Sequence, residues 1–225
     1  MEEMTFNIKN INKTYGNKVI FRDFEIDFYR DKVNCIIGKS GCGKTTLLNI
    51  ISGVIKSDIE DFETLERFKL SYIFQEDRLI QWLTVEENIK LIGKKYYDES
   101  VIDSVCDKYL ELVDIGEYKK YYPQMLSGGI RQRVNIARAF ICPSKVIIMD
   151  EPFKSIDAKN KKMIIERLKE IFKKEKRTAI FVTHDIEEAL LLADKIFILG
   201  DSPVNIKDIL DNNKNLEKNS LYSLI

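Results

Sequence analysis

The segment Gly38-Lys39-Ser40-Gly41-Cys42-Gly43-Lys44-Thr45 fits the pattern G-x-x-x-x-G-K-[ST]. Its chemistry is the capture of a phosphate chain. Glycines let backbone N–H groups turn inward and approach an anion closely. A helix starting just after the loop aims its free donors and the positive end of its dipole at the same point. Lys44 is placed to reach the β- and γ-phosphates, Thr45 offers a hydroxyl to Mg²⁺, and Thr46 follows in the same helix start. The bland alternative is a glycine turn beside a solvated lysine.

A second segment, Val146-Ile147-Ile148-Met149-Asp150-Glu151-Pro152, is an apolar run ending in two acids. At the C-terminal edge of a sheet, Asp150 can hold Mg²⁺ or a metal-bound water. Glu151 can polarise an attacking water as a general base. Taken alone, such a pair often marks only a strand end with solvated charge. Beside a phosphate loop it predicts nucleoside triphosphate hydrolysis.

These residues need a scaffold, and the chain supplies one. Phe6 and Ile8, then Phe24, Ile26 and Phe28, recur at period two, the spacing of half-buried strands. Tyr15-Gly16-Asn17 reads as the turn between them. Val33–Ile37 reads as a buried strand feeding the glycine loop. Thr45–Ser52 reads as a helix stopped by Gly53. Leu70–Phe74 is a further strand. From Thr84 to about Lys120 the period changes. Val101, Ile102, Val105, Cys106, Tyr109, Leu110 and Val113 repeat at three and four, as on a helix.

After Pro123, strand and helix alternate again. Strands are expected at Lys145–Met149, Thr178–Thr183 and Ile196–Leu199, and helices at Asp157–Lys174 and Ile186–Ala193. Buried apolar strands alternating with helices predict a parallel α/β sheet. Residues 57–70 are charged and weakly patterned. Residues 201–225 are rich in Asn, Lys and Asp and read as a tail.

Composition removes several classes of function. Of 225 residues, 44% are apolar, enough for a sizeable core. Lys plus Arg and Asp plus Glu both number 36, so the formal charge is zero and nucleic-acid binding by bulk charge is not expected. Cys35, Cys42, Cys106 and Cys142 form no C-x-x-C pair, and His184 is the single histidine, which leaves little for a zinc site. Reduced thiols in a cytosolic protein are the expectation. Met1-Glu2-Glu3-Met4 is acidic with no apolar run behind it, so no signal peptide is expected. The longest apolar runs fall well short of the ~20 residues that a spanning helix needs.

Leu126-Ser127-Gly128-Gly129, with Gln132-Arg133 after it, resembles the signature motif of ABC-transporter ATP-binding subunits. The order of motifs matches as well: the glycine loop, Gln75, the signature, Asp150-Glu151, then His184. The resemblance runs over about residues 4–200. It implies a P-loop NTPase (ABC ATPase) core with an antiparallel β subdomain and a helical subdomain at about 84–140, in one domain spanning 1–225. Ser127 suits a helix N-cap, and Gly128 and Gly129 expose backbone donors at the start of a helix running to about Phe140. This makes a second anion site. In the family, that site closes on the glycine loop of a second copy, with ATP between them, so the resemblance implies a homodimer on ATP binding. Ile130 stands where the family most often has Gln.

The same resemblance gives further residues their roles. Tyr15 looks like the aromatic that stacks on adenine, though a plain turn tyrosine is its competitor. Gln75 looks like the glutamine that serves Mg²⁺ and water and reports to the membrane partner. Asp157 resembles the aspartate of the loop that crosses the dimer, and it also suits a helix N-cap. His184 resembles the switch histidine at the γ-phosphate, against the default of a structural histidine. Phe74 to Asn88 is similar to the segment found in importers for nitrate, sulfonate, taurine and related solutes. In it, Trp82 either lines the groove for a permease's coupling helix or sits in the core.

The function implied is that of an ATP-hydrolysing importer subunit. It would work with ATP and Mg²⁺ on the cytoplasmic face of the membrane. It would partner integral permease subunits and, indirectly, a solute-binding protein, with no nucleic acid. A soluble ABC-type ATPase switch in DNA repair or translation is a second reading, but no long coiled-coil insertion or second cassette is visible. A P-loop kinase is a third, and it leaves Ser127-Gly128-Gly129 unexplained. Cys42, inside the phosphate loop, is expected to make ATP turnover sensitive to alkylation.

Overall fold

The computed structural model describes residues 5–59, 65, 69–212 and 221. Strands β1 (Thr5–Tyr15) and β2 (Lys18–Tyr29) form an antiparallel pair around the Gly16-Asn17 turn. Phe6 faces Phe28 and Ile8 faces Ile26 across it, as the period-two pattern predicts. Strand β3 (Val33–Ile37) leads into the glycine loop and helix α1 (Lys44–Ile51), which begins one residue earlier than its expected start. Gly53, with φ of 75°, ends that helix in the left-handed region. Strand β4 (Leu70–Ile73) follows.

Three helices come next. They are α2 (Val85–Gly93), α3 (Glu99–Leu112) and α4 (Gly128–Phe140). Thr84 caps α2 in a capping box with Glu87, which is why the helical period starts there. The last third alternates: β5 (Val146–Asp150), α5 (Ala158–Glu175), β6 (Thr178–Val182), α6 (Ile186–Leu192) and β7 (Lys195–Leu199).

The larger sheet has the order β4-β5-β6-β3-β7, closed at its edge by β8 (Ile206–Asp211). Its first five strands are parallel, and β8 pairs antiparallel with β7. Strand β8 lies in the stretch read as a tail, so that reading is corrected over 206–211. Its side chains are almost all exposed or half-buried, and an edge strand of that kind has no apolar signature. Residues 213–220 and 222–225 of the expected tail lie outside the described residues, as do 60–64 and 66–68 of the weakly patterned stretch and the acidic start at 1–4.

Strands β3, β5, β6 and β7 are buried on both faces, and their alternation feeds two cores. Ile36, Ile148 and Ile180 point toward the β1–β2 pair and α1, joining Phe21, Phe28 and Leu47. Cys35, Ile37, Ile147, Met149 and Phe181 point the other way, against helices α2 to α6. The sheet is therefore clamped between two apolar layers, and its C-terminal strand ends are held rigidly in register. No described helix is long and apolar enough to cross a membrane.

Candidate active site

The C-terminal ends of β3, β5 and β6 converge, and the loops that follow them bound a cleft of about 640 Å³. Ligands of open α/β sheets bind at this edge, where strand order reverses. Tyr15, Ser40, Gly41, Gly43, Lys44, Thr45, Thr46, Gln75, Asp150, Glu151 and His184 all line it. The fold thus gathers residues that lie as far apart as 15 and 184 in the chain.

The phosphate loop has the backbone its glycines permit. Gly43 sits at φ of 114°, and a Cβ there would lie 2.7 Å from Ile20 Cγ2. Any side chain would be strained twice, by conformation and by contact. Lys44 Nζ donates to the carbonyls of Gly38, at 2.7 Å, and Lys39, at 2.9 Å. Its ammonium is therefore held over the loop, beside the start of α1. Lys39 lies on the outer side, in an exposed pair with Asp201 at 3.3 Å. Cys42 turns inward into the core of α1 and β2 and is only 4% exposed. This alters the expected alkylation. The thiol is shielded, so a reagent reaches it only when the loop opens. Cys35, Cys106 and Cys142 are free and buried as well.

Asp150 ends β5 with 2% exposure, and its Oδ1 has no hydrogen-bond partner. Burial raises the pKa of its carboxyl, and the Thr45 hydroxyl bonded to it works in the opposite direction. A buried, half-satisfied carboxylate beside a hydroxyl is the donor set of a hard divalent cation, which usually keeps water and phosphate as its other ligands. The residues present fit Mg²⁺. Gln75 joins Thr45 and Asp150 around the adjoining recess. Signature helix α4 holds the segment just beyond Gln75. Arg131 Nε donates to Asp77 Oδ2 at 2.7 Å, and Arg138 NH1 donates to Arg78 O at 2.7 Å.

Glu151 leaves the strand in the left-handed region, with φ of 47°, while its N–H still bonds to Val182 O at 3.0 Å. That turn swings its carboxylate out over the cleft. His184, which follows β6, meets it there: Nδ1 is 3.1 Å from Glu151 Oε1. The His184 side chain is 70% exposed, which removes the reading of a buried structural histidine. Tyr15 is also exposed, at 51%, on the rim of the cleft.

The signature residues do not line this cleft. Ser127 caps α4, with its Oγ accepting from Ile130 N at 3.3 Å. A Cβ on Gly129 would lie 2.6 Å from Ser155 O, so glycine lets the helix start press against the turn after Glu151. Gln132 Nε2 donates to Pro152 O at 2.9 Å and ties the same two segments. Ile130 is 7% exposed and belongs to the core, an apolar role that accounts for Ile at this position. Asp157 caps α5, accepting from Asn160 N at 3.1 Å, and the bonds from Asn160 lower the pKa of its carboxyl. It too lies outside the cleft lining.

Sequence reasoning passed over Ile20, Lys154 and Val182, which complete the lining. Lys154 had a signal, as the cation of the turn directly after Asp150-Glu151. Ile20 and Val182 are apolar strand residues whose place at the cleft comes from the sheet alone. Trp82 is 79% exposed, so it is not a core residue. Its loop is nonetheless rigid. Asn88 donates from Nδ2 to the carbonyls of Ile80 (3.1 Å), Leu83 (3.0 Å) and Thr84 (3.0 Å) and accepts from Ile80 N at 2.8 Å.

Comparison with known proteins agrees with this geometry. The ABC transporter family matches residues 21–154. The aliphatic sulfonates import ATP-binding protein SsuB of Bacillus anthracis is 37% identical over 96% of this chain and 89% of its own. The Fe(3+) ions import ATP-binding protein FbpC of Fusobacterium nucleatum is 35% identical over 95% of this chain and 62% of its own. Among solved structures, a dimeric post-hydrolysis form of the ATP-binding cassette MJ0796 bound to ADP and phosphate superposes with a TM-score of 0.82. It is 28% identical and covers 93% of this chain and 99% of that one. With the matched segment containing the phosphate loop and the Asp150-Glu151 pair, the chain belongs to the ABC transporter family and is an ATP-hydrolysing subunit of an importer.

Proposed function

We propose that the cleft binds ATP with Mg²⁺ and that a second copy of the chain completes it. The observation that carries this reading is the separation of two anion-binding elements within one molecule. The loop 38–45 faces the cleft, whereas Ser127, Gly128 and Gly129 cap a helix outside it. A symmetric pair of chains would bring each signature onto the other's phosphates. ATP bound between them stabilises the closed dimer, and hydrolysis removes that stabilisation.

In this reading the loop N–H groups and Lys44 hold the β- and γ-phosphates, and Tyr15 stacks on the base. Thr45, Gln75 and Asp150 hold Mg²⁺, which supplies charge neutralisation when bound. Glu151 takes a proton from the attacking water, and His184, at 3.1 Å from it, orients that carboxylate at the γ-phosphate end. Asp157 faces the partner copy. Positioning and electrostatics do most of the work, as in other phosphoryl transfers.

The importer works on the cytoplasmic face of the membrane with separate permease subunits, fed by a solute-binding protein. Exposed Trp82 on its braced loop is the docking feature for the permease. The solute is a small molecule of the nitrate, sulfonate or taurine kind. Support for this comes from the Phe74–Asn88 segment and from relatives named for aliphatic sulfonates.

Sedimentation with Mg²⁺ and a non-hydrolysable ATP analogue tests the shared site. The expected result is a dimer for the natural chain, a monomer for Ser127→Arg and no nucleotide binding for Lys44→Ala. A natural chain that saturates with analogue yet stays monomeric overturns the two-copy site. Unchanged affinity in Lys44→Ala overturns the phosphate assignment.

A further inference from the structure

The turn that carries His184 is closed on itself. Thr183 Oγ1 donates to Glu188 Oε2 at 2.6 Å and accepts from Asp185 N at 3.0 Å. Asp185 Oδ1 accepts from Glu187 N at 2.8 Å and caps α6. These bonds fix the internal shape of the turn but do not attach it to its surroundings. The turn is attached to its surroundings by Thr183 N, which bonds to Ile36 O at 3.4 Å, by the contact of His184 with Glu151, and by one side chain on α5.

Lys161 lies in the first turn of α5, with its N–H bonded to Asp157 O at 2.8 Å. Its ammonium reaches Glu188 Oε1 at 2.6 Å and Asp185 Oδ2 at 3.1 Å. Glu188 is 4% exposed, and its two oxygens are met by the Lys161 ammonium and the Thr183 hydroxyl. A recess of about 160 Å³ between the two loops is lined by Glu151, Lys154, Lys161, His184, Asp185 and Glu188, among others. One cation thus spans from the helix that Asp157 caps to the turn that ends in His184.

We propose that Lys161 is a positioning residue for ATP hydrolysis, fixing the His184 turn relative to the Asp157 turn through its pairs with Glu188 and Asp185. This rests on the reading of His184 as the γ-phosphate partner. Shifting either turn strains the same two ion pairs, so the two turns keep one spacing. Lys161 lies outside the cleft lining and acts only through His184.

The test is a double-mutant cycle on ATP turnover and ATP affinity. Lys161→Met is expected to lower kcat about tenfold or more while ATP affinity stays within about twofold, because binding elements lie elsewhere. Lys161→Arg, which keeps the charge, is expected to recover most of the rate. In a His184→Ala background, Lys161→Met is expected to add no further loss, since two residues acting through one contact are not additive. A purely packing role would make the losses multiply. Should Lys161→Met fail to fold, Asp185→Asn takes its place. It breaks one pair, keeps Glu188 paired, and is expected to give about a threefold loss that also vanishes beside His184→Ala. Slow His184→Ala with a normal Lys161→Met overturns this proposal alone. A fully active His184→Ala overturns the histidine reading, and the proposal with it.

Discussion

His184 Nδ1 and Glu151 Oε1 are 3.1 Å apart, although they follow different strands and are separated by thirty-two residues of chain. The contact exists because β5 and β6 are adjacent and parallel, with Asp150 in register with Val182. Each residue is then the first or second beyond a strand end on the same sheet edge. The carboxylate is aimed into the cleft and kept there by the imidazole.

Replacing Glu151 by Gln keeps the shape of that contact and removes the base. Glu151→Gln is expected to bind ATP normally and to lose about 10²–10⁴-fold in hydrolysis, the usual worth of a general base. Phosphate release under saturating ATP measures it. Turnover near that of the natural chain would remove Glu151 from the role.

Asp150 gives a prediction with opposite signs for stability and activity. Burial raises its carboxyl pKa in the folded chain above the unfolded value of 3.8. The stability linked to its proton is therefore fully present below that unfolded value and is lost as pH rises through the folded one. At neutral pH the buried charge is a cost. Asp150→Asn should raise the unfolding free energy of the nucleotide-free protein by roughly 1–2 kcal/mol, yet abolish Mg²⁺-dependent turnover. Thermal melts with and without Mg²⁺ and ATP check both. A lower melting point without ligand would refute the strained-carboxylate account.

Glu86 shows the reverse linkage. It is desolvated, which works against its charge, but hydrogen bonds from Lys120 and Lys90 outweigh that and hold its pKa at about 2, below the ordinary 4.5. The Lys120 contact is 2.5 Å, and Lys119 lies at 3.6 Å. A depressed pKa contributes stability that is present above 4.5 and lost as pH falls toward about 2. Glu86→Gln should cost about 2–3 kcal/mol at neutral pH and flatten the acid limb of the stability curve. Urea melts across that window read it. An unchanged acid limb would show that the three lysines leave its charge unsupported.

Exposed Trp82 allows the proposed docking to be tested apart from catalysis. Trp82→Ala removes an exposed ring from a loop that Asn88 braces, so folding and the ATP turnover of the isolated chain should stay within about twofold. Co-purification with permease subunits should fall by about tenfold or more, as for a buried aromatic anchor. Full retention of the permease would place the docking surface elsewhere.

Much of the fold was legible in the residues. Val33–Ile37 reads as a strand because its short apolar run, broken only by Asn34, suits a strand buried on both faces, and it is one. Asp157 announces a helix start by the capping chemistry it goes on to make. Strand β8 was missed because an exposed edge has hydrogen bonds but no apolar pattern.

The phosphate loop and the acidic pair are local chemistry, set by residue types at fixed spacing, and the sequence alone determined that this chain carries them. Their meeting is a different matter. Which strand lies beside which is decided by packing across the whole sheet, and no spacing along the chain encodes the order β4-β5-β6-β3-β7. Only the tertiary structure therefore placed His184 against Glu151, left Asp150 half-satisfied beside Thr45, turned Cys42 into the core and brought Lys161 to Glu188. Contacts between distant segments are set by how apolar faces stack, and that is a property of the folded whole.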